Sequence, residues 1–311
     1  MVFENNNSKV EKIEIPELRS RNITLYIKRD DLIHEQVSGN KWRKLKYNIE
    51  LCSTRKKNGV VTFGGAYSNH LIATAAVCNQ VGLNSIGIVR GDELNCGSNN
   101  TLRNCHQLGM QLLFVTRQEY DFRNDKGYLE TLKTTYPNFH IVPEGGANYH
   151  GMIGCQEIMS EIDIPIDDVF VAQGTATTSC GILMGLKENQ FLHVVPVLKG
   201  YDSIAEMKNI FELGAIDRVW FEKMLERVEV LSNYHFGGYG KYTEELLFFI
   251  KDFYKEHKLR LDPIYTGKTM FATLKELQSD SYNGKNVLFV HTGGVQGAAH
   301  IIQRSGIDLY A

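Results

Sequence analysis

Lys41 follows the turn-forming run Ser38-Gly39-Asn40 and opens a basic stretch, VSGNKWRKLKYN at residues 37–48, in which Arg43, Lys44 and Lys46 come next. The stretch reads either as a solvated basic helix start or as the setting of a lysine that does chemistry. Like charges and partial burial both disfavour an ammonium ion, so a lysine placed this way ionises below its free value. A neutral amine is a nucleophile, and lysine is the residue that condenses with aldehydes to form Schiff bases.

Three further loops bear on that choice. In VVTFGGAYSNHLIATAA, residues 60–76, Gly64 and Gly65 permit a tight turn, and Ser68 or Asn69 stands as the N-cap of a helix of small residues. The free amides and dipole at such a start can hold a carboxylate or phosphate. In VFVAQGTATTSCGILMGL, residues 169–186, a polar turn from Gly174 through Thr178 separates an apolar run from a helix. Its amides and threonine hydroxyls suit a phosphate monoester, although the P-loop spacing is missing. In NVLFVHTGGVQG, residues 286–297, His291 reads as a structural residue, while Thr292 stands before two glycines with room for a flat ligand. Pyridoxal phosphate needs an amine, a phosphate cup and a partner for its ring nitrogen, and these loops offer one of each.

Alternation of β-branched runs with amphipathic stretches predicts an α/β fold of mostly parallel sheets, whose carboxyl-end loops gather ligands. Nine candidate strands exceed one compact sheet, so two three-layer domains are expected. Residues 47–150, with four successive βα units, form the small domain; 1–46 and 151–311 form the large one. Over 311 residues the net charge is −2, which excludes a basic field for nucleic acid. No apolar stretch suits a membrane span or a secretory signal, so a cytoplasmic location is expected. Six scattered cysteines lack zinc spacing and read as reduced, buried thiols; no metal is expected.

IKRDDL, SGNKWRKL, GGAYSNH, the Gly/Thr loop, LDPIYTGK and HTGG, in that order over about residues 13–297, resemble the 1-aminocyclopropane-1-carboxylate deaminase and D-cysteine desulfhydrase family. These are fold type II pyridoxal phosphate enzymes, related to the tryptophan synthase β chain. The resemblance implies that Lys41 bears the cofactor and that Lys44 and the cup Thr175, Ala176, Thr177 and Thr178 hold its phosphate. It places Asn69 by the phenolic oxygen and Thr292 at the ring nitrogen. Ser68, Asn69 and His70 would receive the substrate carboxylate, with Tyr67 bordering the substrate. Tyr239 and Tyr265 match the family's active-site tyrosines. A homodimer is implied as well.

Two departures separate the branches. Deaminases carry glutamate where this chain has Thr266, and leucine where it has Thr292. Both point to the desulfhydrase-like branch. A neutral hydroxyl at the ring nitrogen makes a weaker electron sink than a carboxylate, which favours prompt expulsion of a β-leaving group. The expectation is therefore α,β-elimination from a small D-amino acid, D-cysteine first, to pyruvate, ammonia and sulfide. Ring-opening deamination of 1-aminocyclopropane-1-carboxylate is the alternative, and a non-catalytic binding protein on the same scaffold is a second.

Overall fold

The computed structural model describes residues 8–34, 37 and 39–311; Ser38 of the expected turn and the first seven residues lie outside the described residues. Among the described residues, ten strands form two sheets. The larger has six: β1 (Val10–Ile13), β2 (Thr24–Lys28), β7 (Asp168–Gln173), β8 (Phe191–Pro196), β9 (Val228–Val230) and β10 (Asn286–Val290), in the order β1-β2-β10-β7-β8-β9. The smaller has four: β3 (Gly59–Gly64), β4 (Asn84–Arg90), β5 (Met110–Val115) and β6 (Phe139–Ile141), in the order β5-β4-β3-β6. Every pairing is parallel except β1 with β2, which is antiparallel. The fold is thus the expected α/β architecture with two mostly parallel sheets.

β1 has no counterpart among the nine expected strands. Its sequence, VEKI, sits at the sheet edge with both central residues exposed, so it shows no apolar face to read. The central strands behave oppositely. In β10, Leu288 and Val290 enter the core on one face while Val287 and Phe289 enter the core on the other. β7 divides the same way, Val169 and Val171 against Phe170. Parallel strands covered on both faces read as continuous apolar runs for this reason.

The helix Asn40–Thr54 joins the two halves. Leu45, Ile49 and Cys52 pack with Val60, Ala73 and Val77 against the smaller sheet. Its other side lies on the helix Tyr149–Ser160, so close that a Cβ on Gly154 would stand 2.0 Å from the Arg43 carbonyl oxygen. Arg43 itself is buried and donates to both oxygens of Asp30 and both of Glu161 at 2.6–2.9 Å. Among the described residues, no helix is long and apolar enough to cross a membrane.

Candidate active site

Lys41 is brought to the end of β10 by backbone packing. Gly39 has φ +52, and a Cβ there would stand 2.0 Å from the carbonyl oxygen of Thr292. That same oxygen accepts the Asn40 amide at 3.2 Å. Glycine is the residue that tolerates both the left-handed angle and the close approach. The Lys41 amine then donates to the Asn40 side-chain oxygen at 2.9 Å, while the Asn40 amide nitrogen donates to the Thr178 hydroxyl at 3.0 Å. Burial, reinforced by the charge of Lys44, pulls the Lys41 pKa down to about 7. Buried Lys44 is also pulled below the ordinary lysine value, and its amine lies 3.3 Å from the Thr175 hydroxyl. Neither lysine forms an ion pair with a carboxylate among the described residues.

Both lysines face one cavity of about 1220 Å³. Its wall takes Tyr67, Ser68, Asn69 and His70 from the loop after β3, Thr175, Ala176 and Thr178 from the loop after β7, and Thr292 from the end of β10. Tyr239 and Tyr265 complete it. Thr177 is not on the wall: it is buried, and its hydroxyl donates to the Thr175 carbonyl at 3.1 Å. All of the loops leave carboxyl ends of strands, as expected for a parallel sheet.

Ser68 is the N-cap of the helix Asn69–Val81, accepting the amides of His70 and Leu71 on its Oγ at 3.2 Å each. Accepting two amides leaves the hydroxyl proton free to donate into the cavity. The His70 ring is buried, and burial together with Lys41 and Lys44 holds its pKa well below 6.5, so the ring is neutral. Thr62 Oγ1 donates to the Val142 carbonyl at 2.8 Å, so the 2.9 Å contact with His70 Nε2 makes that nitrogen the donor. His70 Nδ1 is therefore a bare acceptor, and it is buried without a partner.

The loop after β7 turns at Ala176, whose φ of +54 places a non-glycine residue in the left-handed region at the start of the helix Thr177–Gly185. Such a turn aims successive amides to one side, which is the geometry of an anion nest. The loop after β6 faces it. A Cβ on Gly145 would stand 2.8 Å from Thr175 Cγ2, and one on Gly146 would stand 3.0 Å from Lys44 Cβ. This Pro143–Ala147 loop was missed in the sequence, although PEGG after a strand is the same device as GGAYS. Two lysine amines, threonine hydroxyls, first-turn amides and an orphaned polar atom give the wall what an anionic, hydrogen-bonding cofactor requires. Pyridoxal phosphate fits these residues.

Tyr265 and Tyr239 lie edge to face at 6.1 Å between ring centres. Burial raises the pKa of both, strongly for Tyr265, so both stay protonated. Thr266 does not face the cavity. It is buried, with its hydroxyl donating to Asp262 at 2.6 Å. Asp262 is a second residue that sequence reading missed: it accepts the amides of Ile264, Tyr265 and Thr266 at 2.8–3.0 Å and fixes the turn that presents Tyr265. The signal was local, a side-chain-capped turn in DPIYT. His291 is structural, bonded to the Arg260 carbonyl at 2.7 Å and accepting the Gly293 amide at 3.2 Å.

Comparison with known proteins agrees with this geometry. Residues 8–293 match the family described as "Pyridoxal-phosphate dependent enzyme". A Pyrococcus horikoshii protein provisionally named 1-aminocyclopropane-1-carboxylate deaminase is 30% identical over 294 residues, covering 89% of this chain and 86% of the relative. The bifunctional D-cysteine desulfhydrase/1-aminocyclopropane-1-carboxylate deaminase, mitochondrial, of Arabidopsis thaliana is 30% identical over 88% of this chain and 73% of its own. Among solved structures, one described as an ACC deaminase homologue superposes with a TM-score of 0.80 at 24% identity, covering 98% of this chain and 94% of that one. A hydrogen sulfide-producing enzyme from Fusobacterium nucleatum shares the fold at a TM-score of 0.69 and 15% identity, over 96% and 98% of the two chains. The chain is a pyridoxal phosphate-dependent enzyme and belongs to the 1-aminocyclopropane-1-carboxylate deaminase and D-cysteine desulfhydrase family.

Proposed function

We propose that the enzyme eliminates a β-substituent from a small D-amino acid, D-cysteine first, releasing hydrogen sulfide and, after water hydrolyses the remaining three-carbon enamine, pyruvate and ammonia. The observation that carries this reading is the Lys41 amine, pulled to a pKa of about 7 inside a cavity whose wall also holds Tyr239 and Tyr265, edge to face. Lys41 would bear the cofactor, Lys44 and the Thr175–Thr178 turn would hold its phosphate, Asn69 would meet its phenolic oxygen and Thr292 its ring nitrogen. When bound, pyridoxal phosphate supplies an aldehyde for the substrate amine and a ring that accepts the electron pair left at the α-carbon.

The chain's own groups do the rest. Near neutral pH the Lys41 amine is free to take the α-proton. The Ser68 hydroxyl donates to the substrate carboxylate, with Asn69 beside it, and Tyr67 borders the side chain. His70, whose ring offers a lone pair, suits a donor rather than the carboxylate itself. The protonated Tyr239–Tyr265 pair faces the departing sulfur as an acid. Residues 47–150 act as the smaller domain on this reading. On the resemblance alone the enzyme is a homodimer, which light scattering after gel filtration tests.

The purified protein should show the visible absorption of bound cofactor, and borohydride should fix the cofactor's mass on the peptide holding Lys41. A keto-acid screen should give pyruvate from D-cysteine. Release of 2-oxobutyrate from 1-aminocyclopropane-1-carboxylate with no pyruvate from D-cysteine would replace elimination by ring opening. Unchanged turnover in Lys41→Ala would remove the reading altogether.

A further inference from the structure

Lys268 lies one helical turn beyond Tyr265 in the helix Thr266–Glu276 and is fully buried. Its Nζ donates to the carbonyl oxygens of His235 and Gly238 at 2.8 Å each. Both belong to the loop that ends in Tyr239. The same oxygens accept the amides of Gly238 and Lys241 at 3.0 and 3.1 Å, so Lys268 fills their second lone pairs.

This loop cannot hold its own shape through regular backbone pairing. Phe236, Gly237, Gly238 and Gly240 have φ of +50, +91, +113 and +67. Left-handed residues in such a run persist when the surroundings fix them. The helix Thr266–Glu276 supplies three anchors: Lys268 on two carbonyls, Phe271 edge-on to Phe236 at 5.2 Å, and Glu276 accepting the Tyr234 hydroxyl at 2.6 Å. Phe271 and Glu276 hold the loop upstream of Gly237, whereas Lys268 alone of the three reaches Gly238, beside Tyr239.

A buried ammonium is expensive to desolvate, and a methionine there would avoid the cost. Among the described residues Lys268 has no carboxylate ion pair; Asp262 acts on it only through space, against the burial that pulls its pKa to about 8. Near neutrality the amine therefore keeps its charge, and charge-assisted bonds are roughly twice as strong as neutral ones.

We infer that Lys268 is a positioning residue for the elimination, holding the 235–240 loop so that Tyr239 stays edge-on to Tyr265 in the cavity wall. The inference rests on the role proposed above for the tyrosine pair. It is tested in the cofactor-loaded enzyme with K268M, K268Q, Y239F and the double variant K268M/Y239F, K268Q serving as the milder change that keeps a donor. Pyruvate release from D-cysteine is measured with amide hydrogen exchange. K268M should lower kcat by roughly 10- to 100-fold with KM changed less than about threefold, and K268Q should fall between it and wild type. Exchange should quicken over residues 235–241 and nowhere else. In the Y239F background the K268M effect should shrink to about twofold, because the group being positioned is gone. Equal losses in both backgrounds, or unchanged exchange at 235–241, would overturn the inference. Wild-type turnover by Y239F overturns the tyrosine role and this inference together; a loss in Y239F without one in K268M overturns the inference alone.

Discussion

Burial of the Lys41 amine beside Lys44 lowers its pKa to about 7, so that near neutral pH it is available in the uncharged form that a nucleophile or base requires. Burial is the larger cause of the lowered Lys41 pKa and Lys44 the next. Labelling of Lys41 in the apoprotein by a small amine-reactive reagent should therefore rise with pH about a midpoint near 7, not near the ordinary 10.5. Lys44→Met should move that midpoint upward, since it removes a like charge; peptide mass spectrometry reads both. Linkage gives the same assignment a second signature. Between pH 7 and 10.5 the unfolded amine holds a proton that the folded one has lost, so the apoprotein gains stability relative to Lys41→Met as pH rises through that window. Thr266 illustrates what a residue-level comparison misses. A glutamate there would lie against the carboxylate of Asp262, which already receives the Thr266 hydroxyl at 2.6 Å. Thr266→Glu should thus lower the unfolding midpoint in urea before it changes the reaction.

The elements that matter are those whose ends touch. The helix Asn40–Thr54 meets the end of β10 through Gly39 and Thr292, and this contact sets where Lys41 stands. Gly39→Ala faces two faults, a left-handed φ of +52 and a Cβ 2.0 Å from a backbone oxygen, neither of which a rotamer change relieves. It should cost about 1–3 kcal/mol in denaturant melts and weaken cofactor retention in absorbance titrations. Much at this scale was legible. The helix Asn69–Val81 begins and ends where its serine cap and following glycine say it should, and Ala73, Ala75 and Ala76 are buried as their small size allows. β1 was not legible, because an edge strand of charged residues has no apolar period to detect.

Across the whole molecule, a neutral cluster of buried charges ties the parts together. Lys28 from β2, Asp30, Arg43 from the Asn40–Thr54 helix and Glu161, just past the helix Tyr149–Ser160, bond at 2.6–2.9 Å. Burial works against the Glu161 charge, but the hydrogen bonds and charges of Arg43 and Lys28 outweigh it and hold its pKa at about 2. The stabilisation this brings is present above the unfolded value of 4.5 and is lost as pH falls from there through about 2. Glu161→Gln should cost about 3–5 kcal/mol at pH 7, since it leaves two buried cations facing one carboxylate. Its stability should also vary less than wild type between pH 4.5 and 2, as followed by urea unfolding.

By itself the sequence determined the α/β class, the strand-end loops and the lysine among them, because strand period, glycine turns and helix caps are written in neighbouring residues. The family could be read from the same motifs. What only the tertiary structure decided is where side chains distant in sequence meet: Asp262 behind Thr266, the Pro143–Ala147 loop on Lys44, Lys268 under the Tyr239 loop, and the four charges around Arg43. Each depends on packing that brings together segments with no local signal of one another. Burial and partner, not residue type, then set how readily each lysine gives up its proton.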